Sequence, residues 1–284
     1  LREMVGRTVT LRKHTQRELC GPCPKCGGKD RFFVARDYWG CRQCGTGGDA
    51  SGTFNVSTAA AFVVAAAGVP VAKHGNRAVS GRCGSADVLE ALGARIDLTE
   101  DQVAQCIDSV GIGFMYAPYH HPAMRAVMPE RVELGVRTVF NLLGPLVNPA
   151  EVKYQLIGVY EESLCPKVAE VLAKLGCERA MVVHGLDGLD EISTVGPTHI
   201  SLLQHGRVSS EVRIPAEFSL VPAKLDDIAG GSTAEESAVI LRSVLAGGRG
   251  PRRDITCVNA AAAFIVGGAV DTWRDGIALA QSLI

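Results

Sequence analysis

The chain has 284 residues, 47% of them hydrophobic, and its charged side chains almost balance at a formal net charge of −1. This length and apolar content can build a sizeable core, and they exclude a mostly disordered protein. The longest apolar run, residues 59–72, is rich in Ala and contains Gly68 and Pro70. We therefore expect neither a membrane span nor a signal peptide.

Charge and cysteine are distributed unevenly along the chain. Residues 1–44 carry ten Lys and Arg against four Asp and Glu, whereas residues 45–284 are acidic, which indicates an N-terminal segment suited to a polyanion. Five of the ten Cys lie between Cys20 and Cys44, and the others are scattered singly, as in a reducing compartment. We expect two domains, residues 1–44 and 45–284, in a cytoplasmic protein.

Two cysteine pairs stand out in the first domain. Cys23 and Cys26 form one pair, Cys41 and Cys44 the other, with the spacing C-x2-C-x14-C-x2-C. Four thiolates at this spacing can converge tetrahedrally on one Zn²⁺, with a short hairpin between the pairs. The sequence therefore predicts a zinc ribbon, and the alternative is four thiols without metal.

The same segment resembles the zinc-binding domain of phage and plasmid DNA primases. The resemblance rests on two phrases, residues 21–32 (GPCPKCGGKDRF) and residues 39–45 (WGCRQCG). It implies contact with single-stranded DNA through Arg31, Phe32, Arg36 and Trp39 by phosphate attraction and stacking. The alternative is that Phe32 and Trp39 form only the small core of the ribbon.

From residue 49 onward the pattern predicts helices alternating with strands, which is typical of an α/β sheet with covering helices. The capping box of Thr99 and Gln102 opens one helix, and Ser85 is the expected cap of another. The remaining predicted elements are helices at 57–68, 85–92 and 166–175, strands at 69–73, 155–159 and 180–184, and mainly helices from residue 233 to the end.

Three features of this region suit phosphate chemistry. The glycine-rich segment 45–49 (GTGGD) precedes a helix, where backbone N–H groups can approach a phosphate closely. Segment 73–77 (KHGNR) follows a strand and supplies a cation and amide donors. Asp190 and Glu191 are paired carboxylates suited to Mg²⁺. Taken singly, the glycine run is typical of a plain turn, and the acidic pair is typical of a solvated one.

Together these features resemble the anthranilate phosphoribosyltransferase family, over about residues 45–284. The resemblance rests on seven motifs in order: residues 45–49, 55–58 (NVST), 73–77, 84–93 (GSADVLEALG), 121–124 (HPAM), 137–146 (RTVFNLLGPL) and 188–192 (GLDEI). The family transfers phosphoribose from phosphoribosyl pyrophosphate (PRPP) to anthranilate in tryptophan biosynthesis. Its fold is the α/β fold of nucleoside phosphorylases and phosphoribosyltransferases.

The resemblance implies a role for each motif residue and two bound Mg²⁺ ions, with no catalytic nucleophile. Mg²⁺ would be held by Ser57, Asp190 and Glu191. Arg131 would pair with the substrate carboxylate. The implied PRPP ligands are Gly45, Gly47, Gly48, Asp49, Asn55, Ser57, Thr58, Lys73 and Ser85, and the implied anthranilate ligands are His74, Asn76, His121 and Arg131. The alternatives are an interior histidine at 121 and a helix-capping arginine at 131.

The chain also departs from the family pattern. We expect that the N-terminal helical domain of the family and the strand that leads into the glycine loop are missing and that the ribbon occupies their place. The resemblance implies that the helical domain would mediate a homodimer and cover the substrate channel. Cys83 stands where a hydroxyl residue is common, and Ser237 where Asn is usual. We expect that the two parts were joined at the phrase of residues 45–49, by recombination or a misassembled gene; the less favoured alternative is a working natural fusion.

Two other functions stay open at this stage. One is a zinc-dependent module that binds single-stranded nucleic acid and carries an inactive, truncated transferase domain. The other is a pyrimidine nucleoside phosphorylase, against which segments 73–77 and 137–146 argue.

Overall fold

The structure is a computed structural model that describes the backbone of four short strands before residue 42, and residues 52–77, 83–121, 143–144 and 146–284. The four strands are β1 (Arg12–Lys13), β2 (Leu19–Gly21), β3 (Phe32–Val34) and β4 (Trp39–Cys41). They form an antiparallel sheet in the order β1-β2-β3-β4. Strands β3 and β4 pair with Phe33 opposite Gly40, so the hairpin predicted between the two cysteine pairs is confirmed.

The described residues of the body form two further sheets. In the first, β5 (Val71–Gly75) pairs in parallel with β6 (Ile112–Tyr116). The second has the order β10-β9-β8-β7. Its strands are β7 (Tyr154–Gly158), β8 (Arg179–Gly185), β9 (Thr198–Gln204) and β10 (Arg207–Arg213). Strands β7 and β8 are parallel, whereas β9 runs antiparallel to both of its neighbours.

The helices of the body include α1 (Val56–Ala66), α2 (Ser85–Ala91), α3 (Glu100–Val110), α4 (Ala117–His120), α5 (Leu164–Lys174), α6 (Ala234–Leu245), α7 (Pro251–Gly267) and α8 (Trp273–Leu283). Three of these helices, those that begin after Thr99, Thr233 and Thr272, have a threonine side chain as N-terminal cap. Helix α3 begins at the predicted capping box, in which the N–H of Thr99 donates to Gln102 and the N–H of Gln102 donates to Thr99. It ends at Gly111, whose φ of 80° is the left-handed conformation that favours glycine.

Helix α7 is the centre of the core. Ten of its residues are buried, because it packs against α1, α8 and strands β7 and β8 at once. Helix α8 approaches closely at Gly276, where an added Cβ would lie 2.9 Å from the Cβ of Ala261. Phe264 is completely buried among side chains of α1, α7 and α8. The small residues Ala261 and Gly276 therefore allow α7 and α8 to pack closely together.

The predicted elements are present, and each of their ends is shifted by at most two residues. One expectation was wrong: the N-cap of α2 is Gly84 and not Ser85. The Asp87 carboxylate accepts the N–H of Gly84, so the helix begins one residue earlier than a cap at Ser85 would allow. Strands β6, β9 and β10 were not predicted. No helix within the described ranges is long and apolar enough to cross a membrane.

Replacement of Phe264 by Ala should lower the free energy of unfolding by about 3–5 kcal/mol, because it opens a cavity against the central helix. The measurement is urea denaturation followed by circular dichroism. Val239 on α6 is an exposed control, and Val239→Ala should change stability by less than about 0.5 kcal/mol. Equal losses in the two variants would contradict this account of the core.

Candidate active site

A large cavity lies beside strands β5 and β7. Its volume is about 1170 Å³, and both strands contribute residues to its wall along their whole length. Helices α1 and α7 supply apolar wall through small side chains such as Ala60 and Ala263. Polar side chains collect around the carboxyl ends of the strands, which is where open α/β sheets bind their ligands.

Lys73 is the charged group of strand β5 that lines this cavity. Its Nζ donates to the Oγ of Ser57 on α1 at 3.1 Å. Burial lowers the pKa of Lys73, while the negative charges of Glu191 and Asp190 act in the opposite direction. The ammonium is thus partly withdrawn from water and lies near oxygen groups, and it presents a cation toward the cavity.

Asp190 and Glu191 lie on the loop between β8 and β9. The residues on either side, Leu189 and Ile192, are buried, so they anchor the loop while the two carboxylates line the cavity. Gly158, at the end of β7, lies directly under this loop. A Cβ there would be 1.6 Å from the carbonyl oxygen of Asp190, so only glycine allows the loop to lie against the strand.

Two histidines form the neighbouring part of the wall. The Nε2 atoms of His74 on β5 and His121 after α4 are 3.1 Å apart, and their rings meet edge to face at 88°. Burial, followed by the nearby charges of His121 and His120, lowers the pKa of His74 from 6.5 to about 4. Burial also lowers the pKa of His121. Both imidazoles are therefore neutral at pH 7, and one must donate while the other accepts.

A second group of polar residues lies outside the lining of the cavity. Thr58 on α1 donates to the hydroxyl of Ser85 at 3.3 Å, which ties the starts of α1 and α2 together. The Asn55 amide donates to the carbonyl of Cys83 at 3.2 Å. The thiol of Cys83 donates to the carbonyl of Gly84 at 3.6 Å, and Ser237 influences the pKa of this thiol, so the two departures from the family pattern lie close together.

The structure brings most of the described site residues together. Those that line the cavity are Ser57, Lys73, His74, Asn76, His121, Asp190 and Glu191. The residues of the second group are Asn55, Thr58 and Ser85. Outside the described residues lie Gly45, Gly47, Gly48, Asp49, Arg131, Cys23, Cys26 and Cys44.

Arg77 does not line the cavity, although its segment was expected to supply a cation there. Its guanidinium pairs with Asp87 at 2.9 Å and Glu90 at 2.5 Å, and it lies 5.6 Å from the ring centre of Tyr116. These contacts tie the end of β5 to α2. Its charge is neutralised by this pairing, so Lys73 carries the positive charge of the segment into the cavity.

Asn148 is a polar residue of the wall that sequence reasoning missed. Its side-chain amide donates to the carbonyl of Ala72 at 3.2 Å, and thereby holds the stretch after Leu146 against β5. The signal available in the sequence was an Asn before a proline in a turn, which is common and not specific. Among the described residues, no three or more His, Cys, Asp or Glu side chains lie close enough together to bind one metal ion.

Comparison with known proteins places this site in a family. Residues 41–284 match the model described as "Glycosyl transferase family, a/b domain". The anthranilate phosphoribosyltransferase of Moorella thermoacetica is 55% identical over 241 residues, which are 85% of this chain and 71% of that protein. Anthranilate phosphoribosyltransferase 2 of Streptomyces coelicolor is 51% identical over 267 residues, covering 94% of this chain and 76% of the relative.

Solved structures agree with these relatives. The crystal structure of anthranilate phosphoribosyltransferase from Thermus thermophilus has a TM-score of 0.78 and 44% identity, over 84% of this chain and 70% of that one. The Saccharomyces cerevisiae enzyme in complex with PRPP and Mg has a TM-score of 0.73 and 30% identity, over 82% and 66% of the two chains. A family-model match over most of the chain, relatives above 50% identity and one shared fold lead to a single conclusion: this chain belongs to the anthranilate phosphoribosyltransferase family.

Proposed function

We propose that this chain transfers the phosphoribosyl group of PRPP to the amine of anthranilate, giving N-(5-phosphoribosyl)anthranilate and pyrophosphate in tryptophan biosynthesis. The observation that carries the proposal is that one cavity joins a half-buried ammonium and paired carboxylates to a pair of neutral histidines. The first set suits a diphosphate with its metal, and the second suits an aromatic amine. The relatives named above support the same reaction.

Lys73 and Ser57 form the phosphate-binding part of the proposed site. The Lys73 ammonium offers a positive charge whose burial strengthens its attraction for an anion. The start of α1 adds backbone N–H groups with a favourable dipole beside them. In our proposal, residues 45–49 cradle the pyrophosphate, and Asn55, Thr58 and Ser85 bind or support the phosphate groups.

Mg²⁺ is the metal that these residues suit. The Asp190 and Glu191 carboxylates and the Ser57 hydroxyl are hard oxygen donors, and Mg²⁺ commonly takes one or two carboxylates and completes its shell with water and phosphate oxygens. The few protein ligands available therefore match a metal that is shared with the substrate. When bound, the expected two ions would neutralise charge on the departing pyrophosphate.

The histidine pair forms the proposed anthranilate end of the cavity. Because His74 and His121 are both neutral at pH 7, they can hydrogen-bond the amine without adding a repulsive charge near the sugar. Asn76 lies on the same wall and can bond the substrate through its amide. Arg131 is proposed to pair with the anthranilate carboxylate.

The chemistry requires positioning more than activation. An aromatic amine is already a neutral nucleophile at pH 7, so the barrier lies in breaking the bond between ribose and pyrophosphate as positive charge grows on the sugar. Lys73 and backbone donors stabilise the leaving group, and the histidine wall orients the amine toward the anomeric carbon. A Ser or Cys nucleophile has no part in this scheme.

We also propose that Cys23, Cys26, Cys41 and Cys44 bind one Zn²⁺ and that this segment contacts single-stranded DNA. The support is the spacing of the four cysteines, the positive charge of residues 1–44 and the hairpin that ends at Cys41. The domain boundary at residue 44 and the junction over residues 45–49 are part of the same proposal.

Glu191→Ala should lower kcat/KM by about 10²–10³, because a charge-stabilising group at the leaving pyrophosphate is lost. The measurement is the PRPP- and Mg²⁺-dependent loss of anthranilate fluorescence. Glu170→Ala changes an exposed carboxylate on α5 and should leave the rate unchanged. An equal rate in wild type and Glu191→Ala would show that the reaction does not use this site.

Acidification should destabilise the fold through His74. The unfolded chain protonates a histidine near pH 6.5, whereas the folded one does so near 4, so the contribution of neutral His74 is present above pH 6.5 and lost as the pH falls to about 4. Between these values, Tm should fall less steeply in His74→Asn than in wild type. His205→Asn, in the exposed β9–β10 turn, is the control with a wild-type slope. Matching slopes in wild type and His74→Asn would refute the assignment.

Purified protein should contain about one zinc per chain by mass spectrometry of metals. A double change of Cys23 and Cys26 to Ser should remove it, and Cys106→Ser, a change of a single thiol on α3, should retain it. Protein that carries no zinc after growth in zinc-supplemented medium would argue for the thiols without metal.

A further inference from the structure

We propose that Asn259 is a positioning residue that holds the carboxylates of Asp190 and Glu191 in place for the metal. The inference rests on the proposed function, which assigns those two carboxylates to Mg²⁺. Asn259 lies in the middle of α7, far along the chain from the acidic pair, and its side chain is 1% exposed.

The amide of Asn259 binds the loop at both backbone groups of one residue. Its Oδ1 accepts the N–H of Ile192 at 3.0 Å, and its Nδ2 donates to the carbonyl of Ile192 at 3.0 Å. The same Nδ2 donates to the carbonyl of Ile255, one turn earlier on α7, at 2.9 Å. The two bonds to Ile192 copy the pairing of a neighbouring strand, and the third bond fixes the amide to its own helix.

These bonds act directly beside the acidic pair. Ile192 follows Glu191 in the chain and is completely buried, so its backbone direction determines where the preceding carboxylates point. The far side of the loop is held separately, since the N–H of Ser193 donates to Thr198 at 2.8 Å. Asn259 therefore ties the acidic pair to α7, the helix that lies at the centre of the core.

Loss of this amide should affect the metal as well as the fold. Removing the side chain leaves the N–H and carbonyl of Ile192 buried without these partners, and the loop must shift to satisfy them. Removal of a group that orients a metal ligand typically lowers metal affinity or activity by about 10–100-fold. We therefore expect the half-saturating Mg²⁺ concentration to rise by about tenfold or more in Asn259→Ala.

Thr256 provides a matched control on the same helix. It is completely buried, but its hydroxyl donates to Arg252 of its own helix at 2.7 Å. Thr256→Ala should lower Tm without changing the response to Mg²⁺. Asn259→Ser is a milder variant, because a hydroxyl can return to the carbonyl of Ile255 but is too short to reach Ile192.

The experiment uses the full chain and these variants together with Glu191→Ala. The measurements are the Mg²⁺ dependence of kcat/KM, the calorimetric affinity for PRPP at several Mg²⁺ concentrations, and Tm. We expect Asn259→Ala and Asn259→Ser to need about tenfold more Mg²⁺ in both titrations, and Thr256→Ala to need the wild-type amount. If Asn259→Ala does not fold, Asn259→Ser decides.

Wild-type Mg²⁺ dependence in the Asn259 variants, with a strong shift in Glu191→Ala, would overturn the positioning role and leave the metal assignment standing. Equal Mg²⁺ shifts in Thr256→Ala and Asn259→Ala would also overturn it, since the effect would then follow from lost stability. Wild-type Mg²⁺ dependence in Glu191→Ala itself would overturn the metal assignment and the positioning role with it.

Discussion

The arrangement of the site depends on the burial of one positive charge. Taking the Lys73 ammonium out of water is costly, and the burial lowers its pKa. Two carboxylates of the β8–β9 loop offset part of that cost, and a hydroxyl of α1 accepts a hydrogen bond from the ammonium. Because these groups lie far apart in sequence, the fold must bring three elements together before Lys73 can be accommodated, which couples the shape of the cavity to its charge.

The sequence predicted the general architecture well where a local rule applied. The capping box at Thr99 and the helices after residue 233 obey short-range patterns, and the structure contains them. The β9–β10 hairpin was missed although His205 and Gly206 form a two-residue turn with positive φ angles. A His-Gly pair is a weaker turn signal than Asn-Gly, and the exposed face of β10 gave little apolar alternation.

Site residues divide in the same way. Those that belong to ordered motifs, such as Lys73 and Glu191, could be predicted because their neighbours in the chain identify them. Asn148 and Asn259 could not be predicted, since they contact Ala72 and Ile192, which are 76 and 67 positions away along the chain. Cys83 and Ser237 were noticed as separate departures, and only the fold shows that they lie close together. Such pairs are invisible in one sequence because the contact joins segments that are distant along the chain.

Gly158 has a consequence for how this protein can change over time. Hydroxyl, amide and carboxylate residues around the cavity can each be replaced by a chemically similar residue that keeps part of the hydrogen bonding. Gly158 has no such replacement, because the main chain of Asp190 already occupies the space that a Cβ atom would need. Glycine thus sets the distance between the strand and the acidic loop. Every substitution at this position would displace the loop, so evolution cannot change the residue in small steps.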